Sequence, residues 1–154
     1  MHDLVFSMRA ERARLVGAAR GRVLDIGGAA GVTVRELPGL PDDSFDTVIC
    51  ALVLCTVADQ ATVLADVQRV LRHDGQMLFL EHVLARTVVG RVQRLMAPAW
   101  AAVAGGCRLD RDTVGAIRAA GFVVTDCERP SPLGRISAQT IVRGRAIPRQ
   151  RVPA

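Results

Sequence analysis

The sequence contains no lysine, no asparagine and no tyrosine, and only five of its 154 residues are aromatic. All 20 basic residues are therefore arginines, as is typical of a GC-rich genome. Five aromatic rings offer few surfaces on which the bases of a single-stranded nucleic acid could stack. The basic charge also lies at the ends, because residues 129–154 carry six arginines and no acid, whereas residues 23–128 carry nine arginines and 13 acids. The net charge of +5 thus favours solvated basic ends, and we expect no nucleic-acid partner. A nucleic-acid binder that uses these ends is the alternative.

Long apolar runs and paired cysteines are also missing. The longest uncharged apolar run, 47–58, is shorter than the ~20 residues of a membrane-spanning helix. The first residues are charged, so we expect no signal peptide. None of the four cysteines forms a CxxC pair, and no histidine lies at ligand spacing from them. The sequence therefore predicts no metal site and no disulfide, and it favours the cytoplasm.

The apolar runs that are present alternate between strand-like and helix-like patterns. Strands are predicted over 22–27, 45–54, 76–83, 122–127 and 138–144. Helices are predicted over 4–20, 59–72, 88–103 and 110–121, with N-caps at Asp59 and Asp110 and a short helical turn that Pro38 stops. This alternation predicts an α/β, Rossmann-like fold, with a mainly parallel sheet of about five strands and helices on both faces.

The length of 154 residues fits one domain, which we place at 1–147. Within it we expect an N-terminal helix, a nucleotide-binding-like core, helices on the acceptor side and two C-terminal strands. These parts cover 1–20, 22–83, 86–121 and 122–147, and a flexible tail covers 148–154. In such folds ligands bind outside the carboxyl ends of the strands, which here are 25–31, 54–59 and 81–83.

In the segment VLDIGGAAG, residues 23–31, the first predicted strand leads directly into a glycine-rich turn, GGAAG, at 27–31. Glycines let the chain turn tightly and let a ligand approach the backbone, but such a turn alone binds many nucleotides. Together with LPDDSFDTVICALVL and VLADVQRVLRHDGQMLFLEHV, in this order, it resembles the class I S-adenosylmethionine-dependent methyltransferases of the type 11 group. The resemblance covers residues 20–128. Within that group, LVLCTV, FLEHV and MAPAWAAVAGGCRLDRDTVGAIRAAGF look like the small-molecule branch that includes alkyl-thiol methyltransferases. The resemblance implies S-adenosylmethionine as cofactor and methyl transfer to a thiol, an amine or a hydroxyl of a small acceptor. Lipophilic acceptors are included in this expectation.

The resemblance also assigns residues to this site. The implied cofactor residues are Asp25, Gly27, Gly28, Gly31, Leu52 and Val53. Asp25 matches the family acid near the methionine amino group, and Leu52 and Val53, with Cys55, match strand-end positions beside the methionine portion. Glu81 and His82 match the strand end that faces the acceptor, with His82 as a substrate contact or general base. An ordinary buried histidine is the alternative reading of His82, and Cys107 is expected to be an inert core thiol.

Two departures from the family pattern affect the cofactor site. Ala29 replaces the middle glycine of the turn, and only 13 residues lie between Gly31 and Phe45, where the family has two more strands. The acids that hold the ribose and adenine are therefore missing, and Glu36 is a poor substitute. The first strand becomes a sheet edge, which invites pairing with another chain, so we expect a homodimer or poor solubility. The alternative function is an inactive methyltransferase-like domain that serves as a protein-interaction module.

Overall fold

A computed structural model of the protein describes residues 2–27, 33–129 and 140–149, with side chains from residue 9 onward. Gly28, Ala29 and Gly31 lie outside the described residues. The helices are α1 (His2–Gly17), α2 (Gln60–Val70), α3 (Val88–Val103) and α4 (Thr113–Ala119), and a 3₁₀ helix covers Val34–Gly39. The strands are β1 (Val23–Ile26), β2 (Phe45–Ala51), β3 (Leu71–His82), β4 (Phe122–Glu128) and β5 (Ile141–Pro148).

The five strands form one sheet in the order β1-β2-β3-β5-β4. The first three strands are parallel, and β5 runs antiparallel to both β3 and β4. The predicted α/β class and strand number are thus confirmed, with a mixed sheet in which the parallel half comes first. Within the described residues β1 pairs only with β2, so it is an edge strand, as the short connection before β2 predicts.

Helices cover both faces of the sheet because successive strand residues point to opposite sides. On one face Val48, Cys50 and Phe79 pack in a cluster with the apolar side of α2 and with Ile117 of α4. On the other face Leu15 of α1 packs in a second cluster, which also contains Ile49, Ala51, Leu78, Leu80 and Ile141. The continuous apolar runs of β2 and β3 thus reflect burial on both faces.

Several predicted boundaries shift for local reasons. The strand predicted to Leu54 ends at Ala51, because Leu52 has a φ of 59°. The helix predicted to 72 ends at Val70, where β3 begins. Asp59 caps α2 as predicted, since its side chain accepts the N–H of Ala61 at 2.9 Å.

The cap of α4 is Asp112 rather than the predicted Asp110. The side chain of Asp112 accepts the N–H of Gly115 at 2.9 Å, whereas Asp110 pairs with Arg108. Gly121 has a φ of 90° directly after the helix and ends it as predicted.

Two further segments differ from the prediction. The 3₁₀ helix continues past Pro38 to Gly39, because the guanidinium of Arg69 binds the carbonyl oxygens of Leu37 and Leu40 at 2.9 and 2.7 Å. The last strand is Ile141–Pro148 and extends beyond the predicted end at 144, since its pairing with β3 and β4 continues to Pro148; the predicted residues 138 and 139 lie outside the described residues. The chain segment predicted as a tail from 148 therefore begins inside β5.

Helix α3 is confirmed, but its apolar stripe does not anchor it. Leu95 is 83% exposed, and Val88, Val92, Met96 and Val103 are exposed on the same side. The buried residues are Gly90, Gln93 and Ala97. Among the described residues no helix has both the length and the apolar character needed to cross a bilayer.

Candidate functional site

The carboxyl ends of β1 and β2 meet closely at Gly27. A Cβ atom built on Gly27 would lie 2.3 Å from Cγ2 of Val53, and the φ of Gly27 is 80°. Both the space and the backbone conformation therefore require glycine here. The first glycine of the predicted turn thus lets the β1 end pack against the segment that follows β2.

Leu52 turns the chain sharply where β2 ends. Its φ of 59° is unusual for a residue with a branched side chain and costs roughly 1–2 kcal/mol. The Leu52 N–H still donates to the carbonyl oxygen of Leu80 at 2.8 Å, so the residue remains tied to β3. Strained backbone of this kind concentrates at functional sites. The resemblance points to Leu52, but the strain is visible only in the structure.

Glu81 fixes the segment after this turn. It is fully buried, and its Oε1 accepts the N–H groups of Val53 and Leu54, both at 2.9 Å. Its Oε2 accepts the N–H of Cys55 at 3.1 Å. Burial raises the pKa of Glu81 to about 7, while the three N–H groups oppose the rise. Both carboxylate oxygens are thus engaged with the backbone of residues 53–55.

Asp25 lies on β1, two residues before Gly27. Its Oδ2 forms an ion pair with Arg12 of α1. Its Oδ1 is buried and has no hydrogen-bond partner among the described atoms. A buried carboxylate oxygen without a donor costs free energy, so this atom fits a ligand that brings an N–H group. The structure therefore offers an acceptor for a positively charged amino group at the end of β1.

A second polar cluster, formed by Cys55, His82 and Cys107, lies beyond the end of β3. The Nδ1 atom of His82 is 3.3 Å from Sγ of Cys107 and 3.9 Å from Sγ of Cys55. The two sulfur atoms are 3.5 Å apart. All three side chains are buried. The sequence gives no sign of this cluster, because its members are 25 to 52 residues apart.

The chain segment after α3 brings Cys107 into this cluster. Gly105 and Gly106 both have positive φ and turn the chain back toward β2. The Arg108 N–H then donates to the carbonyl oxygen of Cys55 at 2.8 Å. Trp100 and Leu109 pack against the two cysteines. Cys107 is therefore a buried thiol, as predicted, but it is in contact with a histidine.

The pKa values of the two cysteines in the cluster shift in opposite directions. The hydrogen bond with Cys55 lowers the pKa of Cys107 to about 4, although burial opposes this, and His82 lowers it further. The same hydrogen bond, together with burial and the charge of Glu81, raises the pKa of Cys55. The pKa of Cys107 is therefore the lower of the two.

A cavity of about 1010 Å³ begins at Val83, the residue after His82, and lies between α3, α4 and β4. Its wall contains apolar side chains such as Val88, Val114 and Val142. It also contains five arginines, which are Arg86, Arg91, Arg94, Arg118 and Arg129. This is the region that the sequence assigns to the acceptor.

Glu36 does not replace the missing family acids. Its Oε2 accepts the N–H of Thr33 at 2.7 Å and the hydroxyl of Thr33 at 2.9 Å, so it closes the first turn of its own 3₁₀ helix. These hydrogen bonds lower the pKa of Glu36. Within the described residues no strand lies outside β1. Among the described residues, no strand beside β1 therefore carries the acids that the resemblance implies for the nucleoside.

Comparison with known proteins places the chain in a family. Residues 8–79 match the family described as "Methyltransferase domain". The chain is 36% identical over 116 residues, 73% of its length, to thiol S-methyltransferase TMT1B of Rattus norvegicus. It is 38% identical over 96 residues, 61% of its length, to thiol S-methyltransferase TMT1A of Homo sapiens. The chain belongs to the class I S-adenosylmethionine-dependent methyltransferases, type 11 group. It spans 48% and 38% of the lengths of these two relatives.

Solved structures of methyltransferases have the same fold. A possible histamine N-methyltransferase from Thermotoga maritima aligns with a TM-score of 0.62 at 18% identity, over 91% of either chain. The 1,6-didemethyltoxoflavin-N1-methyltransferase of Burkholderia thailandensis, solved with 1,6-didemethyltoxoflavin and S-adenosylhomocysteine, aligns with a TM-score of 0.59 at 15% identity. That alignment covers 94% of this chain and 79% of the other. The predicted family is thus confirmed, its cofactor is S-adenosylmethionine, and nothing in these relationships supports the inactive alternative.

Proposed function

We propose that this protein transfers the methyl group of S-adenosylmethionine to the sulfur of a small thiol. The observation that carries the proposal is the buried Oδ1 of Asp25, which has no partner among the described atoms at the end of β1. It supports binding of the cofactor's amino group. The choice of a thiol follows the relatives that are named thiol S-methyltransferases.

On this proposal the methionine portion of the cofactor lies across the ends of β1 and β2. When bound, the cofactor supplies a methyl group on a positively charged sulfur. Asp25 accepts the N–H of the amino group through Oδ1, while Arg12 holds Oδ2 in place. Gly27 and Val53 keep the two strand ends close. The predicted cofactor residues Gly28 and Gly31 remain part of the proposal, outside the described residues.

Glu81 and His82 have different roles in this scheme. Glu81 positions residues 53–55, because its oxygens bind their N–H groups. His82, at 8% exposure, is the more accessible of the two and directly precedes Val83, where the acceptor cavity begins. Transfer to a thiolate mainly requires an in-line approach, and a base only for an acceptor that arrives protonated. We therefore assign positioning to Glu81 and acceptor contact to His82.

Two features near the acceptor cavity bear on the kind of thiol. The exposed apolar side of α3 supports a lipophilic body. The five arginines of the cavity wall support an acceptor that also carries a negative charge, because among the described residues that line the cavity Asp112 is the one acid. A lipophilic thiol is our first candidate, and a lipophilic thiol with a carboxylate end is the second.

We also propose that the protein forms a homodimer through β1. Residues Val23–Ile26 pair with β2 alone among the described residues and leave one row of backbone groups without a strand neighbour. An apolar edge of this kind pairs readily with another strand. A second copy of the chain offers the same edge.

Methyl transfer can be tested with purified full-length protein. S-adenosylmethionine at about 100 times its dissociation constant should raise the unfolding free energy by ~2.7 kcal/mol. Labelled methyl groups should then appear on hexanethiol and on mercaptohexanoate, two thiols of similar length. Faster methylation of mercaptohexanoate would select the acidic candidate. No thermal shift with millimolar cofactor, or no methylated product from either thiol, would refute the proposal.

A further inference from the structure

Three donor atoms that bind soft metal ions converge beyond the end of β3. They are Sγ of Cys55, Nδ1 of His82 and Sγ of Cys107, and all lie within 4.8 Å of one another. They come from three separate segments, namely the loop after β2, the last residue of β3 and the loop after α3. No other histidine, cysteine or carboxylate of the described residues belongs to this group.

The distances between the donors match those around a tetrahedral zinc ion. Zinc lies about 2.3 Å from sulfur and about 2.0–2.1 Å from histidine nitrogen. Tetrahedral angles then place two sulfurs about 3.8 Å apart, and sulfur and nitrogen about 3.6 Å apart. The observed separations are 3.5 Å between the sulfurs, and 3.3 and 3.9 Å from the sulfurs to Nδ1. Shifts of a few tenths of an ångström would complete the coordination.

The surroundings fit a thiophilic ion better than a hard one. Two thiolates and one neutral imidazole balance the charge of a divalent ion, so that the buried site becomes neutral. Glu81 is the acid next to His82, but its oxygens are bound to backbone N–H groups. Magnesium and calcium require oxygen ligands, which this group does not supply. The wall of Trp100 and Leu109 excludes most of the water.

We propose that Cys55, His82 and Cys107 bind one zinc ion and leave its fourth position open. Three protein ligands with an open position are typical of zinc sites that bind a further small ligand. This site shares His82 with the proposed acceptor contact, but it is argued from the donor geometry alone and does not rest on the proposed methyl transfer. A disulfide between Cys55 and Cys107 would compete with it, since either thiol can then no longer bind the ion.

Metal uptake by the reduced full-length protein tests the proposal without cofactor or acceptor. We expect one zinc per chain by elemental analysis, and one cobalt per chain after exchange. The cobalt protein should show the sulfur-to-cobalt absorption and the intense visible bands of a tetrahedral site with thiolate ligands. Less than one tenth of an equivalent of either metal, or a cobalt spectrum without sulfur bands, would overturn the proposal.

Single cysteine-to-serine substitutions test which thiols bind the zinc ion. Cys107→Ser and Cys55→Ser should each weaken zinc binding more than about 100-fold. The matched control is Cys127→Ser, since Cys127 lies on β4 outside the cluster. Circular dichroism shows whether each variant folds. If a variant does not fold, the cobalt spectrum of the unsubstituted protein still tests the site.

Equal zinc affinity in Cys107→Ser, or a Cys55–Cys107 disulfide with no uptake after reduction, would contradict the site. Failure here leaves the methylation assay unaffected, and the reverse also holds.

Discussion

Sγ of Cys107 lies 3.3 Å from Nδ1 of His82, although 25 residues separate the two along the chain. The contact exists because Gly105 and Gly106 turn the chain after α3, and the Arg108 N–H then binds the carbonyl oxygen of Cys55. The carboxyl end of the parallel half of the sheet therefore holds two polar groups. One is built around Asp25 and suits an amino group, and the other is built from sulfur and imidazole.

Asp25→Asn should weaken binding of S-adenosylmethionine. Asparagine keeps the size of the side chain but loses the charge that favours an ammonium group. Hydrogen bonds to charged groups contribute about 1.5–3 kcal/mol, so the dissociation constant should rise about 10- to 100-fold. Isothermal titration calorimetry measures it. Asp110→Asn, which removes a charge from a surface ion pair with Arg108, is the control and should bind normally. Unchanged affinity in Asp25→Asn would contradict the assigned role.

Glu81→Gln should destabilise the fold. The amide keeps one acceptor for the N–H groups of Val53 and Leu54, but its NH₂ group would face the N–H of Cys55. Two buried donors facing each other cost about 1–3 kcal/mol, which urea unfolding measures. Glu36→Gln changes the same residue type at an exposed cap and should cost less. A larger loss in Glu36→Gln would argue against the role of Glu81.

Glu81 should also make stability depend on pH. Burial raises its pKa from the ordinary value of 4.5 to about 7 in the folded protein. Between these values the folded state binds more protons than the unfolded state, so the free energy of unfolding falls as the pH rises. Urea unfolding at intervals between pH 4.5 and 7 should show this fall in the unsubstituted protein and a weaker one in Glu81→Gln. Parallel curves would show that Glu81 does not titrate in this range.

Gln93→Ala should loosen α3. Gln93 is fully buried, accepts the N–H of Ala85 at 2.7 Å and donates to the carbonyl oxygen of Val83 at 3.0 Å. Its loss leaves two backbone groups without partners and should cost about 1–3 kcal/mol. Hydrogen exchange should quicken over 84–104. Leu95→Ala on the exposed side of the same helix should stay within about 0.5 kcal/mol of the unsubstituted protein. Similar losses in both variants would show that Gln93 is not the anchor.

Val23→Lys should reduce self-association. Val23 lies on the edge strand β1, and a lysine on an edge opposes strand pairing. The matched control is Val123→Lys on β4, the opposite edge, because both valines are 42% exposed. Sedimentation over a range of concentrations should show a dimer for the unsubstituted protein and the control, and monomer for Val23→Lys. A monomeric unsubstituted protein would refute the dimer.

The α/β class, the five strands and the edge position of β1 could all be predicted from the sequence. They depend on local patterns, such as the apolar runs of β2 and β3, the cap at Asp59 and the glycine at 27. The position of β5 was less predictable, because pairing with β3 and β4 sets its limits. The cap at Asp112 was missed because Asp110 and Asp112 lie two residues apart and both suit the role.

The sequence by itself determined the family and the strand ends at which Asp25, Gly27, Glu81 and His82 lie, because motif and periodicity are properties of contiguous residues. Only the tertiary structure decided what these side chains contact. It binds Glu81 to the backbone of 53–55, leaves one oxygen of Asp25 without a partner among the described atoms, and joins His82 to two distant thiols. These relationships connect residues far apart along the chain, and their geometry follows from how strands and helices pack.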